Sequence, residues 1–432
     1  MKLILENFRS FDGMNEIEIR PLTLITGENS SGKSSLLAAL NVISDKVRYP
    51  MNPDFNTDPF NLGNFRTIAT FKGGRYGRAD SFSLGMQISS NNGPETKVVG
   101  RYVERDGNSD VAEVYGESSF GNFRMQFEQE YINLNGDFFD QPDGPKRSFS
   151  TKIKRVESVQ VPPGFFQNAF FNTLFSTLPE NQELSKLFPQ VYNMFFLILS
   201  QLPVVRAVAP VRTKPSRTYD QSKSEYSPEG AHIPQMLTKL FVESKASKKA
   251  AALYEIIKQF GIDSGLYKEL RPRILGKHFS DPFQLNVSIS GVQSNLIDVG
   301  YGVSQSLPVI VQSIMSAEGE VLLLQQPEVH LHPKAQAAVG TLFAQLHKQH
   351  KKNTYVIETH SDFIADRIRM AVAEKIVSPE DVVILFLEKD HLTTKAHHLH
   401  IDESGNLIDA PQSYRSFFMR EQVSLLSMGS KE

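Results

Sequence analysis

Short apolar runs alternate with stretches of helical spacing at both ends of the chain. Four runs have the length and composition of buried strands, and they cover residues 22–26, 321–324, 355–357 and 382–387. The segments between the last three carry apolar residues at helical intervals, as in AQAAVGTLFAQLHKQ. Apolar strands that alternate with amphipathic helices are typical of a mainly parallel sheet covered on both faces. The pattern therefore predicts an α/β fold.

The middle of the chain has a different pattern. From about residue 80 to 160, short alternating stretches separated by Asn, Gly, Asp and Pro predict an antiparallel β arm. From about residue 163 the spacing becomes helical, which predicts an inserted, mainly helical subdomain. These shifts predict four parts: residues 1–80 and 283–432 as the two halves of one lobe, 81–162 as the β arm and 163–282 as the helical insertion.

A glycine-rich loop follows the first of the four buried runs. Residues 27–34 read Gly-Glu-Asn-Ser-Ser-Gly-Lys-Ser and lead into an apolar helical stretch that begins near Leu36. In such a strand, loop and helix, backbone N–H groups and the helix N-terminus bind phosphate oxygens, Lys33 reaches the β- and γ-phosphates, and the Ser34 hydroxyl ligates Mg²⁺. A loop that only caps the helix is the structural alternative. The motif predicts binding of a nucleoside triphosphate.

The composition limits the classes of protein to consider. A chain of 432 residues, 40% hydrophobic and 22% charged, is typical of a soluble globular protein with two or three domains. The net charge of −2 confines any nucleic-acid contact to a local region. The absence of cysteine excludes disulfides and thiolate metal sites, and no run approaches the roughly 18 apolar residues of a membrane span. We expect a cytoplasmic protein with no membrane partner.

Three further motifs follow in the C-terminal part. Residues 300–305 read GYGVSQ and precede an apolar helix, residues 321–333 read VLLLQQPEVHLHP, and residues 354–362 read TYVIETHSD. With the phosphate loop and the opening LENFRSF, this order resembles the ABC-type ATPases of the SMC-like branch, including the OLD-like proteins. The resemblance covers about residues 1–75 and 283–405. It implies an ABC-type P-loop nucleotide-binding domain that uses ATP and Mg²⁺.

The resemblance implies roles for individual residues. Gly302 and Ser304 take the signature position, which in this family reaches the γ-phosphate bound by the opposite subunit, although the segment departs from LSGGQ. For Ser304 the alternative is an N-cap of the following helix. His332 falls at the D-loop position, before Pro333 as the first residue of a helix, and His360 falls at the switch position that senses the γ-phosphate. The implied nucleotide-binding residues are Arg9, Gly27, Asn29, Ser31, Gly32, Lys33, Ser34, Ser35, Gly302, Ser304 and His332.

The Walker B strand departs from the family pattern. Where the family has a carboxylate for Mg²⁺ and then a glutamate for the attacking water, this chain has Gln325 and Gln326. An amide cannot accept a proton from water, so the loss of a general base lowers the rate by about 10²- to 10⁴-fold. Either Gln325 is a deliberate replacement of a glutamate that retains ATP for structural work, or it belongs to a natural nucleotide-gated switch. Glu328 and Glu358 are candidates for the missing carboxylate. The candidate catalytic residues are Gln325, Gln326, Glu328 and His360, and the candidate metal ligands are Ser34 and Gln325.

The resemblance also implies a function. Two copies, or a higher oligomer, close around ATP and act as the sensor or regulator of a partner effector, such as a nuclease or toxin in anti-phage defence. One alternative is an SMC-like DNA-repair ATPase that clamps DNA, and another is a non-hydrolysing, ATP-bound scaffold. A GTP-binding switch would carry an Asn-Lys-x-Asp motif, which the sequence lacks.

A basic loop is the remaining candidate for contact with nucleic acid. It concentrates five positive charges within 18 residues, with Tyr219 and Tyr226 interleaved. Such a loop either binds nucleic acid or phosphate or is a solvated loop. The five basic residues are Arg206, Arg212, Lys214, Arg217 and Lys223.

Overall fold

The computed structural model describes residues 1–74, 77–90, 93–139, 146–154, 182–221 and 225–414. These residues form two compact units. Unit 1 consists of Met1–Ile19, Ser34–Arg206 and His391–Thr394, and unit 2 consists of Arg20–Lys33, Ala207–Asp390 and Lys395–Glu432. The helical pattern at residues 170–178 and the end of the predicted β arm at 155–162 lie outside the described residues. The predicted four-part division stays a prediction.

The described part of the chain contains both β-strands and α-helices. The strands are β1 (Lys2–Phe8), β2 (Phe11–Glu18), β3 (Leu22–Gly27), β4 (Phe71–Gly73), β5 (Gly77–Arg78), β6 (Ser81–Ser90), β7 (Gly93–Arg105), β8 (Asn108–Ser118), β9 (Gly121–Phe127), β10 (Tyr131–Phe139), β11 (Lys146–Lys154), β12 (Val204–Val208), β13 (Glu269–Ile274), β14 (Phe283–Ser288), β15 (Gln293–Asn295), β16 (Glu320–Gln325), β17 (Thr354–Glu358), β18 (Val382–Asp390), β19 (Thr393–Ile401) and β20 (Leu407–Ile408). The α-helices are α1 (Lys33–Ser44), α2 (Phe65–Ile68), α3 (Gln182–Gln201), α4 (Ile233–Ser244), α5 (Lys248–Ser264), α6 (Tyr301–Ile314), α7 (Pro333–Gln349) and α8 (Asp362–Ala373).

Unit 1 is built on an antiparallel sheet of eight strands in the order β11-β10-β9-β8-β7-β6-β1-β2. The predicted antiparallel strands after residue 80 are confirmed in β6 to β11, where alternating side chains face a common core. The N-terminal hairpin of β1 and β2 belongs to the same sheet, because β1 pairs with β6 from Lys2 opposite Gln87 to Glu6 opposite Ser83. Phe82 and Tyr102, both fully buried, pack together with ring centroids 5.3 Å apart and a tilt of 30° in the core of this unit.

Unit 2 is centred on a seven-stranded sheet in the order β12-β16-β17-β3-β18-β19-β20. The neighbours β16 and β17, β17 and β3, and β3 and β18 are all parallel. Every residue of β16 and β17 is buried, as expected for strands covered on both faces. The predicted α/β fold with a mainly parallel core is therefore confirmed. Because parallel strands end at the same edge, the residues after β3, β16 and β17 are brought together there.

Helices and a small sheet complete unit 2. The helices α4 to α8 contribute to one buried apolar cluster with the central strands. A three-stranded antiparallel sheet of β13, β14 and β15 precedes α6. Among the described residues, no helix is long and apolar enough to cross a membrane.

Candidate nucleotide-binding site

The loop after β3 has a backbone that only glycine can adopt at its first position. Gly27 has a φ of 141°, and a Cβ built there would lie 2.3 Å from the carbonyl oxygen of Leu387. Ser30 and Gly32 also have positive φ values, of 62° and 92°. The chain then enters α1 at Lys33, so the N–H groups of a helix N-terminus follow the loop directly. This conformation is suited to an anion.

Lys33 is held inside this loop. Its side chain is 4% exposed, and Nζ donates hydrogen bonds to the carbonyl oxygens of Gly27 at 2.9 Å and Glu28 at 2.6 Å. Burial lowers the pKa of Lys33, and the charges of Glu358 and Glu28 act in the opposite direction. The ammonium group is thus fixed beside the loop backbone, within the field of a carboxylate from β17.

The other predicted residues of the loop differ in exposure. Asn29 and Ser34 are exposed, Ser35 is half-buried in the first turn of α1, and Ser31 is fully buried. Arg9 belongs to unit 1, where Nη2 donates to the carbonyl oxygen of Leu62 at 2.8 Å. Its nucleotide contact stays a prediction.

Gln325 and Glu358 end neighbouring parallel strands and lie opposite each other in the register. Gln325 Nε2 donates a long hydrogen bond of 3.4 Å to Glu358 Oε2, and both side chains are buried. Gln325 Oε1 is also buried and has no hydrogen-bond partner among the described residues. The amide at position 325 can donate to Glu358, which a glutamate there could not do unless it were protonated.

Glu328 is the second buried carboxyl group at this edge. Its Oε1 accepts a hydrogen bond of 2.6 Å from the backbone N–H of His360, while Oε2 is buried without a hydrogen-bond partner among the described residues. Burial raises the pKa of Glu328, and the hydrogen bond from the His360 N–H, with the charge of Arg212, opposes this shift. A buried carboxyl with a raised pKa is suited to accept a proton.

His360 follows the end of β17 and is exposed. Partial desolvation lowers the pKa of its imidazole, and the positive charge of Lys33 lowers it further. The ring is therefore held in its neutral form near pH 7, with one N–H available to donate a hydrogen bond.

The signature segment forms the first turn of α6. Gly300 is the N-cap, and Ser304 is the fourth residue of the helix, so the N-cap interpretation of Ser304 is wrong. Ser304 is 6% exposed, and its Oγ donates to the carbonyl oxygen of Tyr301 at 3.2 Å. A Cβ on Gly302 would lie 3.0 Å from the carbonyl oxygen of His330, so this turn packs closely against the segment that precedes α7.

His332 is the N-cap of α7. Its Nδ1 accepts a hydrogen bond of 3.3 Å from the backbone N–H of Lys334. Pro333 is the first helical residue, as predicted from the sequence. His332 is exposed, which leaves the rest of its ring accessible.

Arg212 is a residue of this site that the sequence analysis missed. The solvated-loop and nucleic-acid interpretations are both wrong for this side chain, which is 4% exposed and donates to the carbonyl oxygens of Gln305, Gln325 and Gln326. Burial lowers the pKa of Arg212 to about 10, and the charge of Glu328 acts against this shift. The only sequence signal was its position just after the apolar segment of β12.

The rest of the basic loop is divided between internal contacts and exposed positions. Arg217 forms an exposed ion pair with Asp298, and the ring of Tyr219 stacks on Phe283 with centroids 5.5 Å apart. The Tyr226 hydroxyl accepts a hydrogen bond from the backbone N–H of Ala207. Lys223 lies outside the described residues. The two tyrosine rings are therefore engaged within unit 2.

Two solved structures resemble this chain at low identity. An SMC head domain from Thermotoga maritima shares 10% identity, covers 92% of this chain and 97% of its own, and has a TM-score of 0.38. An Smc head domain with an extended coiled coil, bound to the C-terminal domain of ScpA and derived from Pyrococcus furiosus, shares 10% identity, covers 98% of each chain and has the same TM-score. Values this low do not identify a function. No curated protein matches the sequence.

A family model identifies the class of the chain. The model described as "AAA domain, putative AbiEii toxin, Type IV TA system" matches residues 22–366, which is well over half of the chain. This range contains the segments that are predicted from the sequence as the phosphate loop, the signature segment, the Walker B strand and the switch histidine. The match confirms a AAA domain over the part of the chain that carries the predicted nucleotide-binding loop. The chain therefore belongs to the family of AAA domains described as putative AbiEii toxins of a type IV TA system.

Proposed function

We propose that this chain binds ATP and Mg²⁺ at the loop of residues 27–35, closes into a dimer around ATP and thereby regulates a partner effector. The observation that carries the proposal is the edge of the parallel sheet, where Lys33 lies within the field of Glu358 and Glu358 accepts a hydrogen bond from Gln325. Sites for a nucleoside triphosphate and its metal ion combine a fixed ammonium group, a glycine-rich anion-binding loop and buried oxygen ligands.

The side chains at this edge of the sheet offer the kind of ligand atom that Mg²⁺ binds. Mg²⁺ takes oxygen ligands, and Gln325 Oε1 is a buried oxygen without a hydrogen-bond partner among the described residues. The family resemblance adds the Ser34 hydroxyl. Within the part of the chain that the structure describes, no cluster of three or more His, Asp or Glu side chains could hold a metal ion by itself. The proposed Mg²⁺ is therefore bound with the nucleotide phosphates, whose charge it neutralises.

Glu328 is the residue that we propose to accept the proton of the attacking water. Gln325 and Gln326 carry amides, which cannot do so. The carboxyl of Glu328 is buried, its pKa is raised, and one of its oxygens lacks a hydrogen-bond partner within the described residues. His360, neutral and exposed, would donate to the γ-phosphate.

The proposed assembly has two copies of the chain, with Gly302 and Ser304 of one copy at the ATP bound by the other. ATP would then favour the closed dimer to the extent that the closed form binds it more tightly. The family description names a type IV TA system, which supports a role in such a system. A separate effector partner, such as a nuclease, is what the resemblance to SMC-like ATPases implies. The alternative function is a scaffold that retains ATP without hydrolysis, and the two amides at positions 325 and 326 favour it.

The test is ATP affinity, measured by calorimetry, together with light scattering in ATP and Mg²⁺. Lys33→Ala removes a buried charge beside the loop and should weaken ATP binding by about 10- to 100-fold. Lys245→Ala is the matched control, because Lys245 is exposed and packs its ammonium group over the ring of Phe241. Equal affinities in the parent and Lys33→Ala would contradict the proposed nucleotide site, and a parent that stays monomeric in ATP would contradict the proposed dimer.

A further inference from the structure

One buried arginine joins the signature helix to the Walker B strand. Arg212 Nη1 donates to the carbonyl oxygen of Gln305 in α6 at 3.1 Å. Its Nη2 donates to the carbonyl oxygens of Gln325 at 2.8 Å and Gln326 at 3.0 Å, at and just after the end of β16. The planar guanidinium therefore donates hydrogen bonds to three backbone carbonyl groups, one in α6 and two at or just after the end of β16.

The backbone at Gln326 is shaped for this contact. Gln326 has a φ of 44°, in the left-handed region that residues other than glycine seldom adopt. In a regular strand, successive carbonyl groups point to opposite sides, but here the carbonyls of two successive residues point to the same guanidinium. The N–H of Gln326 donates to the carbonyl of Glu358 at 2.8 Å, so the same peptide also contacts the end of β17. A shift of Gln325 or Glu358 would thus move the carbonyls that Arg212 holds.

Burial makes this contact strong compared with the ion pair of Arg217 in the same loop. Arg212 is 4% exposed, whereas the side chains of Arg217 and its partner Asp298 are 60% and 46% exposed. An exposed ion pair is screened by water and contributes little, while a buried guanidinium must keep its acceptors. Because its acceptors belong to two elements, Arg212 ties the position of α6 to that of the end of β16.

We infer that Arg212 is a positioning residue that transmits the state of the nucleotide site to the signature helix α6. The inference rests on the proposed function, because it takes nucleotide and Mg²⁺ at Gln325 as the signal. Binding there shifts the end of β16, and Arg212 carries that shift to the Gln305 carbonyl and so to the first two turns of α6. The residue contacts neither the nucleotide nor Mg²⁺; it couples the two elements through their backbones.

The experiment is hydrogen–deuterium exchange of the full chain, with and without ATP and Mg²⁺. In the parent we expect protection of residues 27–35, which reports binding, and exchange slowed by about fivefold or more in residues 301–314, which reports coupling. Arg212→Met should keep the first change and lose the second. Arg217→Met, the matched control, should keep both. A role limited to stability would instead change exchange in the absence of ATP and weaken ATP binding.

Four outcomes decide the inference. Loss of the ATP-dependent change at 301–314 in Arg212→Met, with the loop still protected, supports it. The same change in Arg212→Met as in the parent overturns it. If Arg212→Met does not fold, Arg212→Lys decides in the same way, because an ammonium group keeps the charge but cannot span three carbonyls in one plane. A parent with no protection at 27–35 overturns the proposed function itself, and with it the inference.

Discussion

The side-chain amide of Gln325 donates to the carboxylate of Glu358 across the ends of two neighbouring parallel strands, at 3.4 Å. Both groups are buried, so the interaction is not screened by water. The same amide leaves its oxygen without a hydrogen-bond partner in the part of the chain that the structure describes. A carboxylate at position 325 would place two negative charges together, which a proton or a cation must neutralise. This relationship accounts for both the proposed Mg²⁺ site and the effect of an amide there.

Gln325→Glu should make the stability of the protein depend on Mg²⁺. Two carboxylates at this distance raise the pKa of one of them, so the stability of the variant should fall as pH rises above the ordinary carboxyl range. We expect a loss of about 1–3 kcal/mol at pH 8 in EDTA, largely recovered with Mg²⁺ and nucleotide. Denaturant unfolding at pH 5 and pH 8 measures this. The parent, with its neutral amide, is the control, and an equal pH dependence in both proteins would refute the prediction.

Glu328→Gln should remove a pH dependence from the parent. Burial raises the pKa of Glu328 above its ordinary 4.5, so the folded state binds more protons than the unfolded state at and above this value. This contribution to stability is present below pH 4.5 and is lost as pH rises through the folded pKa. Glutamine keeps an acceptor for the His360 N–H. The variant should therefore gain stability relative to the parent as pH rises above 4.5, measured by urea unfolding between pH 4 and 7. Parallel curves would show that Glu328 does not titrate as described.

Ser304→Ala and Ser306→Ala form a matched pair in α6. Both hydroxyls are buried and donate to a carbonyl three residues earlier, Tyr301 for Ser304 and Val303 for Ser306. Each substitution should lower the free energy of unfolding by about 0.5–1.5 kcal/mol. Only Ser304→Ala should weaken ATP-dependent self-association, by about tenfold, because only Ser304 is proposed to face the partner's nucleotide. Sedimentation in ATP and Mg²⁺ measures this, and equal weakening in both variants would assign the effect to helix stability alone.

The glycine-rich loop and the parallel strands could be predicted from local patterns in the sequence, because apolar runs and glycine spacing act over a few residues. The pairing of β1 with β6 could not be predicted in this way, since nothing near Leu3 or Leu5 specifies a partner strand about 80 residues later. The alternative interpretation of Ser304 as an N-cap is wrong because α6 begins at Tyr301, and helix ends are weakly encoded.

The role of Arg212 could not be predicted from the sequence, for a different reason. In a loop with four other basic residues it has the pattern of a solvated cation, yet its three acceptors are backbone carbonyls about 90 to 115 residues away. A hydrogen bond to a backbone carbonyl does not depend on the side chain of the acceptor residue, so the sequence does not reveal such a contact. Glu328 could be named from the sequence, but its raised pKa depends on burial that only the fold provides.

The measurement that tests the central claim most directly is ATP turnover in Mg²⁺ by this chain beside Gln325→Glu, with Lys33→Ala in the same background as the control. If the edge of the parallel sheet is an ATPase site, Gln325→Glu supplies Mg²⁺ with a charged oxygen ligand while Glu328 still accepts the proton. It should then turn over ATP about 100-fold faster than the parent, and Lys33→Ala should abolish that gain. Tight ATP binding without turnover in either protein would contradict the hydrolytic site and leave the nucleotide-bound scaffold as the function.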